Sequence, residues 1–459
     1  MDDTSQEKWV DAFYRLSDPQ REFIVNGATI GTIQHLAGKI RSLAAKSSAR
    51  LCLCSHDKAL IAAAFIAALT GGPRLVFPYA FSRQAMESVM ESVPISWIIA
   101  DEPDEMPLTE SSIILPHMLE EIDSSPFTHS VDDDDPFLTL FTGGSTGAPK
   151  IWDKTPRNFI EEARYICKRF GLTEDDVFLA TVPPQHIYGF LFSIVVPLVV
   201  SARVLPDIYV LPRAIMAAME SFRATILVSV PPCYRVLNGD FLAPYNLRLA
   251  FSSAGVLDQD DAAGFHKKTG IGIHEIYGST ETGGIATRCH NGDEAAWNVF
   301  DPVEWQIVDD CLQVCSPFLS PSLAKNQDGF FITADRVERD EQKGFILKGR
   351  ADNVVKIGGK RVDLQEIQEK IKKLDGVRDA AVILIAQTEG RPTDLSAFVV
   401  SDVDPAELRQ KMMGQVEAYA VPRRFISVEK IPATPAGKPD RQAMELLARN
   451  SAAILQDGK

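Results

Sequence analysis

The spacing of apolar residues predicts alternating helices and strands along the first hundred residues. Apolar side chains at helical spacing, beginning with Trp9, Phe13 and Leu16, indicate helix over residues 5–48. The segments that follow are predicted in the order strand 50–54, helix 58–69, strand 73–78, helix 82–93 and strand 96–100. Strands that alternate with helices predict a parallel α/β sheet.

The same alternation continues to the end of the chain. A short apolar run at 137–141 predicts a buried strand. The next predicted segments are helix 157–170, strand 176–182, a strand at 225–232 that leads into a helix, and a strand at 247–255. The final part predicts a compact α/β module, with helix 363–374, strands 377–385 and 395–400, and helix 405–413.

Composition and charge narrow the class of protein. A chain of 459 residues is too long for one core and is expected to form several subdomains. The formal net charge of -15 disfavours nucleic acid and anionic membrane surfaces as partners, because both attract basic faces. The chain opens without a signal peptide, no apolar run reaches membrane-spanning length, and the seven cysteines lack paired C-x-x-C spacing. These features predict a cytoplasmic protein with reduced thiols and no membrane span.

One stretch is rich in residues that suit phosphate. Residues 142–150 read T-G-G-S-T-G-A-P-K and follow the predicted strand at 137–141. Glycines let backbone N–H groups approach an anion, hydroxyls add donors, and the lysine adds charge. The stretch is not a Walker loop, because Ala148 and Pro149 separate Gly147 from Lys150. From these residues alone, a phosphate-binding loop and a flexible surface turn both remain open.

This loop resembles the phosphate-binding signature of the adenylate-forming superfamily, which includes acyl-CoA synthetases, aryl-CoA ligases, luciferases and the adenylation domains of peptide synthetases. The usual form there is T-S-G-[ST]-T-G-x-P-K, and Gly143 stands here where serine is commoner. Further motifs follow in the same order, so the resemblance covers about residues 135–445. It implies that ATP is bound by Thr142, Gly143, Gly144, Ser145, Thr146, Gly147 and Lys150.

The resemblance also implies a domain organisation. A large N-terminal α/β region of several subdomains, residues 1–351, would hold ATP and the acid. A small, mobile C-terminal α+β domain, residues 352–459, would carry the catalytic lysine.

Residues 183–190, P-P-Q-H-I-Y-G-F, resemble the segment that lines the carboxylic-acid pocket. The resemblance implies that His186 abuts the substrate carboxylate and that Tyr188, Gly189 and, further along, Gly283 shape the pocket. Relatives that activate amino acids usually carry an aspartate here, to pair with the substrate ammonium. Neutral Gln185 and His186 therefore disfavour an α-amino acid. A Pro-bounded turn with a half-buried histidine is the alternative interpretation of the segment.

Residues 253–257, S-A-G-V-L, resemble the turn that packs on adenine in the superfamily. The resemblance implies that Ser253, Ala254 and Gly255 let the base lie on the backbone. Val256 replaces the usual proline. From the residues alone, a plain strand-to-helix turn explains the segment as well.

Residues 277–281, Y-G-S-T-E, resemble the motif Y-G-x-T-E, in which a strand ends in a sharp turn. The resemblance implies that Tyr277 stacks on adenine beside Gly278 and Ser279. Thr280 would donate to the α-phosphate, and Glu281 would hold Mg²⁺, which takes oxygen ligands from one or two carboxylates and from phosphates. A strand followed by a helix-capping turn is the alternative.

The region after residue 329 resembles the superfamily's ribose motif and hinge. Asp335 would accept hydrogen bonds from both ribose hydroxyls, and Arg350 would reach the ribose or a phosphate. Asp352 would occupy the hinge, and Gly358 and Gly359 would line the thiol channel. An aspartate in a solvated hairpin, followed by a charged surface hairpin, is the alternative.

Residues 431–441 resemble P-x-T-x-x-G-K-x-x-R and place Lys438 at the catalytic lysine. The resemblance implies that a small carboxylic acid reacts with ATP and Mg²⁺ to give an acyl or aryl adenylate and pyrophosphate. A thiol then takes the acyl group, from coenzyme A or from the phosphopantetheine of an acyl carrier protein supplied in trans. The alternatives are a stand-alone amino-acid adenylation enzyme and a non-catalytic nucleotide-binding regulator.

Overall fold

The computed structural model describes most of the chain as two compact units. The described residues are 18–44, 49–103, 106, 112–127, 130–142, 149–239, 246–290, 296–341, 344–351, 354–357, 360–385, 394–413, 415–433 and 439–454. As far as these are described, the first unit comprises Met1–Glu304 and Val314–Phe331, and the second comprises Trp305–Gln313 and Ile332–Lys459. Each unit has a hydrophobic core of its own.

The first unit begins with a mostly parallel sheet covered by helices. Its helices are α1 (Ile30–Arg41), α2 (Lys58–Leu69) and α3 (Arg83–Ser92). Its strands are β1 (Arg50–Cys54), β2 (Arg74–Phe77), β3 (Trp97–Ala100), β4 (Ser112–Ile114), β5 (Leu138–Thr142) and β6 (Lys150–Lys154), in the order β4-β3-β1-β2-β5-β6. Asp57 caps α2 by accepting from the N–H of Ala59 at 2.7 Å, and α2 is apolar on all sides because it is buried on all sides.

A second sheet in the same unit carries the segments around His186, Ser253 and Tyr277. The helices around it are α4 (Pro156–Phe170), α5 (Ile187–Phe190), α6 (Val196–Val200), α7 (Pro212–Ser221), α8 (Pro231–Gly239) and α9 (Gln259–Thr269). Its strands are β7 (Val177–Ala180), β8 (Arg203–Val204), β9 (Ile226–Ser229), β10 (Leu249–Ser252), β11 (Ile273–Ser279), β12 (Gly283–His290) and β13 (Trp297–Val299). The order β11-β10-β9-β7-β8 is parallel, and β12 returns antiparallel to β11.

The second unit combines antiparallel strands with a small α/β module. Its strands are β14 (Glu304–Val308), β15 (Cys311–Cys315), β16 (Phe331–Asp340), β17 (Gly344–Arg350), β18 (Val354–Ile357), β19 (Lys360–Asp363), β20 (Val377–Ile385), β21 (Asp394–Ser401) and β22 (Arg424–Ser427). Its helices are α10 (Leu364–Lys372), α11 (Pro405–Met413) and α12 (Arg441–Ile454). The apolar faces of α10, α11 and β20 meet in one core that includes Ile371, Leu408 and Val382.

The structure confirms most of the predicted elements and corrects two regions. Residues 18–29 are not helical: Ile24 bridges to Val204 on β8, and the N–H of Val25 donates to the carbonyl of Val204 at 3.0 Å. Pairing at the sheet edge buries Phe23 and Ile24, which explains why an apolar pattern there did not form helix. The rest of the predicted N-terminal helix, 5–17 and 45–48, lies outside the described residues. The strand β6 was not predicted.

The apolar run that begins at Phe190 is a core element. A π-helical turn, Leu191–Val195, joins α5 to α6, and Phe192 and Ile194 within it are fully buried. Across the described ranges, no helix has both the length and the apolarity needed to cross a bilayer.

Candidate active site

The glycine-rich stretch connects two paired strands. Thr142 at the end of β5 pairs with Lys150 at the start of β6. The indole N–H of Trp152 donates to Thr142 Oγ1 at 3.2 Å, which fixes the end of β5. Lys150 is exposed to solvent. Gly143, Gly144, Ser145, Thr146 and Gly147 lie outside the described residues, so their predicted role stays a prediction.

The strands that precede the other candidate segments end at one edge of the second sheet. Ala180 on β7 aligns with Val228 on β9, and Ser229 aligns with Ser252 on β10. Ser252 in turn aligns with Glu275 on β11. Because these strands are parallel, the segments that follow them emerge side by side. The carboxyl edge of an open parallel sheet is where such folds bind ligands.

The acid-pocket segment lies after β7. His186 is half-buried and precedes the first residue of α5, and its carbonyl accepts from the N–H of Phe190 at 2.7 Å. Only glycine fits at 189, because a Cβ there would overlap the carbonyl oxygen of Pro183. Burial raises the pKa of Tyr188 well above its usual range. Gln185 is buried, with Oε1 3.2 Å from Nδ1 of His56.

The adenine-turn segment follows β10 and is tied to β11. Ser253 Oγ donates to the carbonyl of Ile276 at 2.8 Å. Ala254 adopts a left-handed backbone with φ of 69°, which is uncommon for a residue with a side chain and typical of functional turns. Val256, where the superfamily usually has proline, is 74% exposed.

A buried carboxylate behind this turn was not identified from the sequence. Glu275 Oε1 accepts from the N–H of Leu257 at 3.2 Å, and Oε2 lies 2.5 Å from Nε of Arg288 and 2.6 Å from Nε2 of His290. Burial alone would raise the pKa of Glu275, but the hydrogen bonds from His290 and Arg288 outweigh it and hold that pKa below its usual range. These contacts join β11, β12 and the turn at residues 253–257.

Tyr277 lies on β11 and is half-buried beside a second aromatic ring. The ring centroids of Tyr277 and Trp297 are 5.3 Å apart, and the guanidinium of Arg288 lies 4.5 Å from the Trp297 ring centroid. Arg288 therefore connects the buried Glu275 to the aromatic pair. This arrangement fixes the position of the ring that the sequence assigned to adenine.

The turn between β11 and β12 is sharp, as predicted. The N–H of Ser279 donates to Thr282 Oγ1 at 3.1 Å, and the N–H of Thr282 donates back to Ser279 Oγ at 3.2 Å. A Cβ at Gly278 would overlap the carbonyl oxygen of Gly283. The reciprocal bonds leave Thr280 and Glu281 at the tip of the turn, both half-buried.

Two buried charged residues lie beneath this tip, and the sequence analysis missed both. Lys154, the last residue of β6, is 1% exposed, and Glu162 of α4 is 3% exposed. Burial lowers the pKa of Lys154 and raises the pKa of Glu162. A signal was present in the sequence, because Glu162 falls between Phe159 and Ile166 on the apolar face of α4.

The ribose-motif residues lie together in the second unit. Asp335 on β16 aligns with Arg350 on β17, and Arg350 Nη1 lies 3.2 Å from Asp335 Oδ1. Thr333 Oγ1 accepts from the N–H of Asp335 at 3.2 Å. Asp352, Gly358, Gly359 and Lys438 lie outside the described residues, and their roles stay predictions, as does a domain boundary at residue 352.

The tip of the turn offers one carboxylate, that of Glu281, to a metal ion. Among the described residues, no three His, Cys, Asp or Glu side chains group as they would around a fully protein-bound ion. A half-buried Glu281 in the turn between β11 and β12 fits a different kind of site, in which Mg²⁺ takes one or two carboxylates and completes its shell with substrate phosphates and water.

Comparisons with known proteins identify the family of the chain. Residues 32–317 match the family described as AMP-binding enzyme, and residues 366–438 match the AMP-binding enzyme C-terminal domain. The medium-chain fatty-acid–CoA ligase of Escherichia coli is 26% identical over 380 residues, which cover 73% of this chain and 65% of that enzyme. The sulfoacetate–CoA ligase of Cupriavidus necator is 26% identical over 338 residues, which cover 67% of this chain and 66% of that enzyme. In each case the match spans slightly less than two thirds of the relative's length.

Solved structures share the fold. ATP-bound MatB from Rhodopseudomonas palustris superposes with a TM-score of 0.84 at 20% identity, covering 96% of this chain and 98% of that one. The O-succinylbenzoate coenzyme A synthetase MenE from Bacillus subtilis superposes with a TM-score of 0.82 at 18% identity, covering 95% and 99%. The predicted fold class, a large α/β region followed by a small C-terminal domain, is confirmed. The chain belongs to the AMP-binding enzyme family.

Proposed function

We propose that the protein activates a carboxylic acid with ATP and transfers the acyl group to a thiol, that of coenzyme A. The proposal rests on one observation: three candidate segments follow parallel strands at the same edge of the second sheet. They are the segment around His186, the turn at Ser253 and the tip that bears Thr280 and Glu281. Membership in the AMP-binding enzyme family and the CoA ligases among the relatives support it.

In the first step a carboxylate oxygen attacks the α-phosphorus of ATP. The bond from that phosphorus to the pyrophosphate oxygen breaks, which gives an acyl adenylate and pyrophosphate. Two anions must approach, so catalysis depends on positioning and on positive charge near the phosphoryl oxygens. Lys438 would bridge the carboxylate and the α-phosphate, and Thr280 would donate to that phosphate. The loop between Thr142 and Lys150 would hold the departing pyrophosphate.

The remaining nucleotide contacts follow from the same proposal. Tyr277 and the backbone of residues 253–255 would hold adenine, and Asp335 with Arg350 would hold the ribose. Glu281 would hold Mg²⁺, which when bound offsets phosphate charge. None of these residues needs to act as a nucleophile.

In the second step a thiolate attacks the acyl carbon. The bond from that carbon to the AMP oxygen breaks, which gives a thioester and AMP. We infer that the C-terminal domain, residues 352–459, rotates about Asp352 between the steps, so that Lys438 serves the first and the Gly358–Gly359 turn lines the thiol channel in the second.

The acid is proposed to be an acyl or aryl acid without an α-ammonium group. Gln185 is neutral and buried, and His186 beside it carries no fixed negative charge to pair with an ammonium. The pocket walls would be shaped by Tyr188, Gly189 and Gly283.

A panel of carboxylates tests the proposal. Pyrophosphate release would be measured with fatty acids, aryl acids, dicarboxylates and amino acids, with and without Mg²⁺. Release that depends on an acyl or aryl acid is expected, and release with amino acids alone would overturn the substrate class. Thioester formation with coenzyme A, against phosphopantetheine on a carrier protein, then identifies the acceptor.

A further inference from the structure

The tip that bears Thr280 and Glu281 rests on a buried lysine. Lys154 Nζ donates to the carbonyl of Phe318 at 3.3 Å and to the carbonyl of Glu281 at 3.5 Å. The N–H of Ser320 donates to the same Glu281 carbonyl at 2.9 Å. Lys154 therefore holds the backbone of Glu281 through its carbonyl oxygen.

Glu162 contacts the other side of the turn. Its Oε1 accepts from the N–H of Gly284 at 2.7 Å. A Cβ at Gly283 would lie 2.7 Å from Glu162 Oε2 and 2.7 Å from Phe318 Cβ, so the backbone of the turn lies directly against the carboxylate. Lys154 thus contacts the turn at Glu281, and Glu162 contacts the backbone that leaves the turn at Gly283 and Gly284.

The burial of these two charges argues for a role in positioning. Taking an ammonium and a carboxylate out of water costs free energy, and apolar residues of similar volume usually stabilise a core as well or better. The best-supported role of buried charged groups is to select one local structure over similar alternatives. The geometry that Lys154 selects is the position of the Glu281 backbone.

We propose that Lys154 is a positioning residue that fixes Thr280 and Glu281 for Mg²⁺-bound ATP, while Glu162 supports the adjacent backbone at Gly284. This inference rests on the proposed function. Lys154 acts through the backbone of Glu281 and through the turn that Glu162 contacts at Gly284. Loss of Lys154 therefore loosens the tip without removing any ligand of the nucleotide.

The double variant Lys154→Met with Glu162→Gln tests this proposal. It removes both charges at similar volume, and the new side-chain amide keeps an oxygen that can accept from the Gly284 N–H. The matched control is Lys58→Met, because Lys58 is also buried and donates to two backbone carbonyls, those of Leu205 and Asp207, at 2.7 and 2.9 Å.

Three readouts separate positioning from general stability. In the double variant, exchange of the amides in residues 279–284 is expected to accelerate about tenfold, and the Kd for ATP with Mg²⁺, measured by calorimetry, to rise about tenfold. With an acid substrate, kcat for pyrophosphate release should fall about tenfold or more, while the KM for the acid changes less than about twofold. Lys58→Met should change none of these in the folded protein.

The outcomes also separate this inference from the proposed function. Amide hydrogen exchange and ATP calorimetry can be measured without the acid substrate. A wild-type protein that releases no pyrophosphate would therefore count against the proposed function and not against this inference. Unchanged exchange and unchanged ATP affinity in the double variant, beside an active wild type, would overturn the inference. Tighter Mg²⁺ binding with unchanged kcat would also overturn it, since Lys154 would then act only as a nearby charge.

Discussion

Ser253 Oγ donates to the carbonyl of Ile276 at 2.8 Å, so the turn after β10 is joined to the strand that carries Tyr277. This hydrogen bond and the one from the Leu257 N–H to Glu275 Oε1 connect the two faces proposed to enclose adenine. The next residue, Ala254, has a left-handed backbone with φ of 69°.

Ser253→Ala should weaken nucleotide binding more than acid binding. A net hydrogen bond contributes about 1 kcal/mol, which corresponds to about a fivefold rise in the Kd for ATP. Calorimetric titration of ATP measures the change. Ser253→Thr keeps the hydroxyl and is the matched control. Equal ATP affinity in Ser253→Ala and the wild type would contradict a role for this turn at adenine.

Stability should fall in acid partly because of Asp176. Its carboxylate is 2.7 Å from Nε of Arg248 and accepts from Thr225 Oγ1 at 2.8 Å. Burial alone would raise the pKa of Asp176, but the hydrogen bonds from Arg248, Thr173 and Thr225 hold it below its usual range. A carboxyl with a lowered folded-state pKa contributes stability that is complete above its unfolded pKa of about 3.9 and is lost as pH falls through the folded pKa.

Asp176→Asn should therefore lower the free energy of unfolding at about pH 7 by roughly 1–3 kcal/mol and flatten its decline below about pH 4. Urea unfolding at several pH values measures both effects. Asp402→Asn is the control, because the pair of Arg378 and Asp402 is fully exposed and such pairs contribute little. If the free energy of unfolding of Asp176→Asn fell with decreasing pH as steeply as that of the wild type, groups other than Asp176 would be responsible for the acid sensitivity.

Glu281→Gln should reduce the stabilisation that ATP with Mg²⁺ gives to the folded protein. A ligand that binds only the folded state stabilises it according to its concentration over its Kd, so a tenfold weaker affinity removes about 1.4 kcal/mol. Chelation of Mg²⁺ should remove the same increment from the wild type. Glu220→Gln, an exposed residue on α7, should behave as the wild type. If ATP with Mg²⁺ stabilised Glu281→Gln as much as it stabilises the wild type, the proposed role of Glu281 as a Mg²⁺ ligand would be contradicted.

Lys438→Ala should impair the first chemical step selectively. Loss of a preorganised donor at a developing charge costs on the order of 10²-fold in rate. Pyrophosphate release should fall by that factor, whereas thioester formation from an acyl adenylate supplied ready-made should change little. Lys430→Ala, an exposed lysine nearby in the sequence, is the control. Equal losses in both steps would contradict the assignment of Lys438 to the first.

Local patterns predicted much of the fold, and tertiary contacts explain the exceptions. The bounds of β1, α2, β20 and α11 match the predicted segments, because short apolar runs and cap residues decide those elements locally. The segment around Phe23 was predicted as helix, but pairing with Val204 across the sequence outweighed its local pattern. No local pattern marks Lys154 in β6 as buried, and its ammonium contacts carbonyls that are far away in the sequence, those of Phe318 and Glu281.

Site residues that belong to a sequence motif could be predicted. Site residues that are defined only by tertiary contacts could not. Thr280 and Glu281 could be named from Y-G-S-T-E, because this motif resembles Y-G-x-T-E of the superfamily, in which a strand ends in a sharp turn. Glu275 and Arg288 belong to no motif, and their pairing arises from the antiparallel register of β11 and β12, in which they are direct partners. Register of that kind depends on the whole sheet rather than on a window of sequence.

Transfer of oxygen from the acid to AMP tests the central claim most directly. A carboxylate labelled with ¹⁸O, turned over with ATP, Mg²⁺ and coenzyme A, would be followed by mass spectrometry of the nucleotide product. Attack of the carboxylate on the α-phosphorus predicts one ¹⁸O atom in AMP and none in pyrophosphate. Label in inorganic phosphate with ADP as the nucleotide product, or AMP without label, would contradict activation through an adenylate.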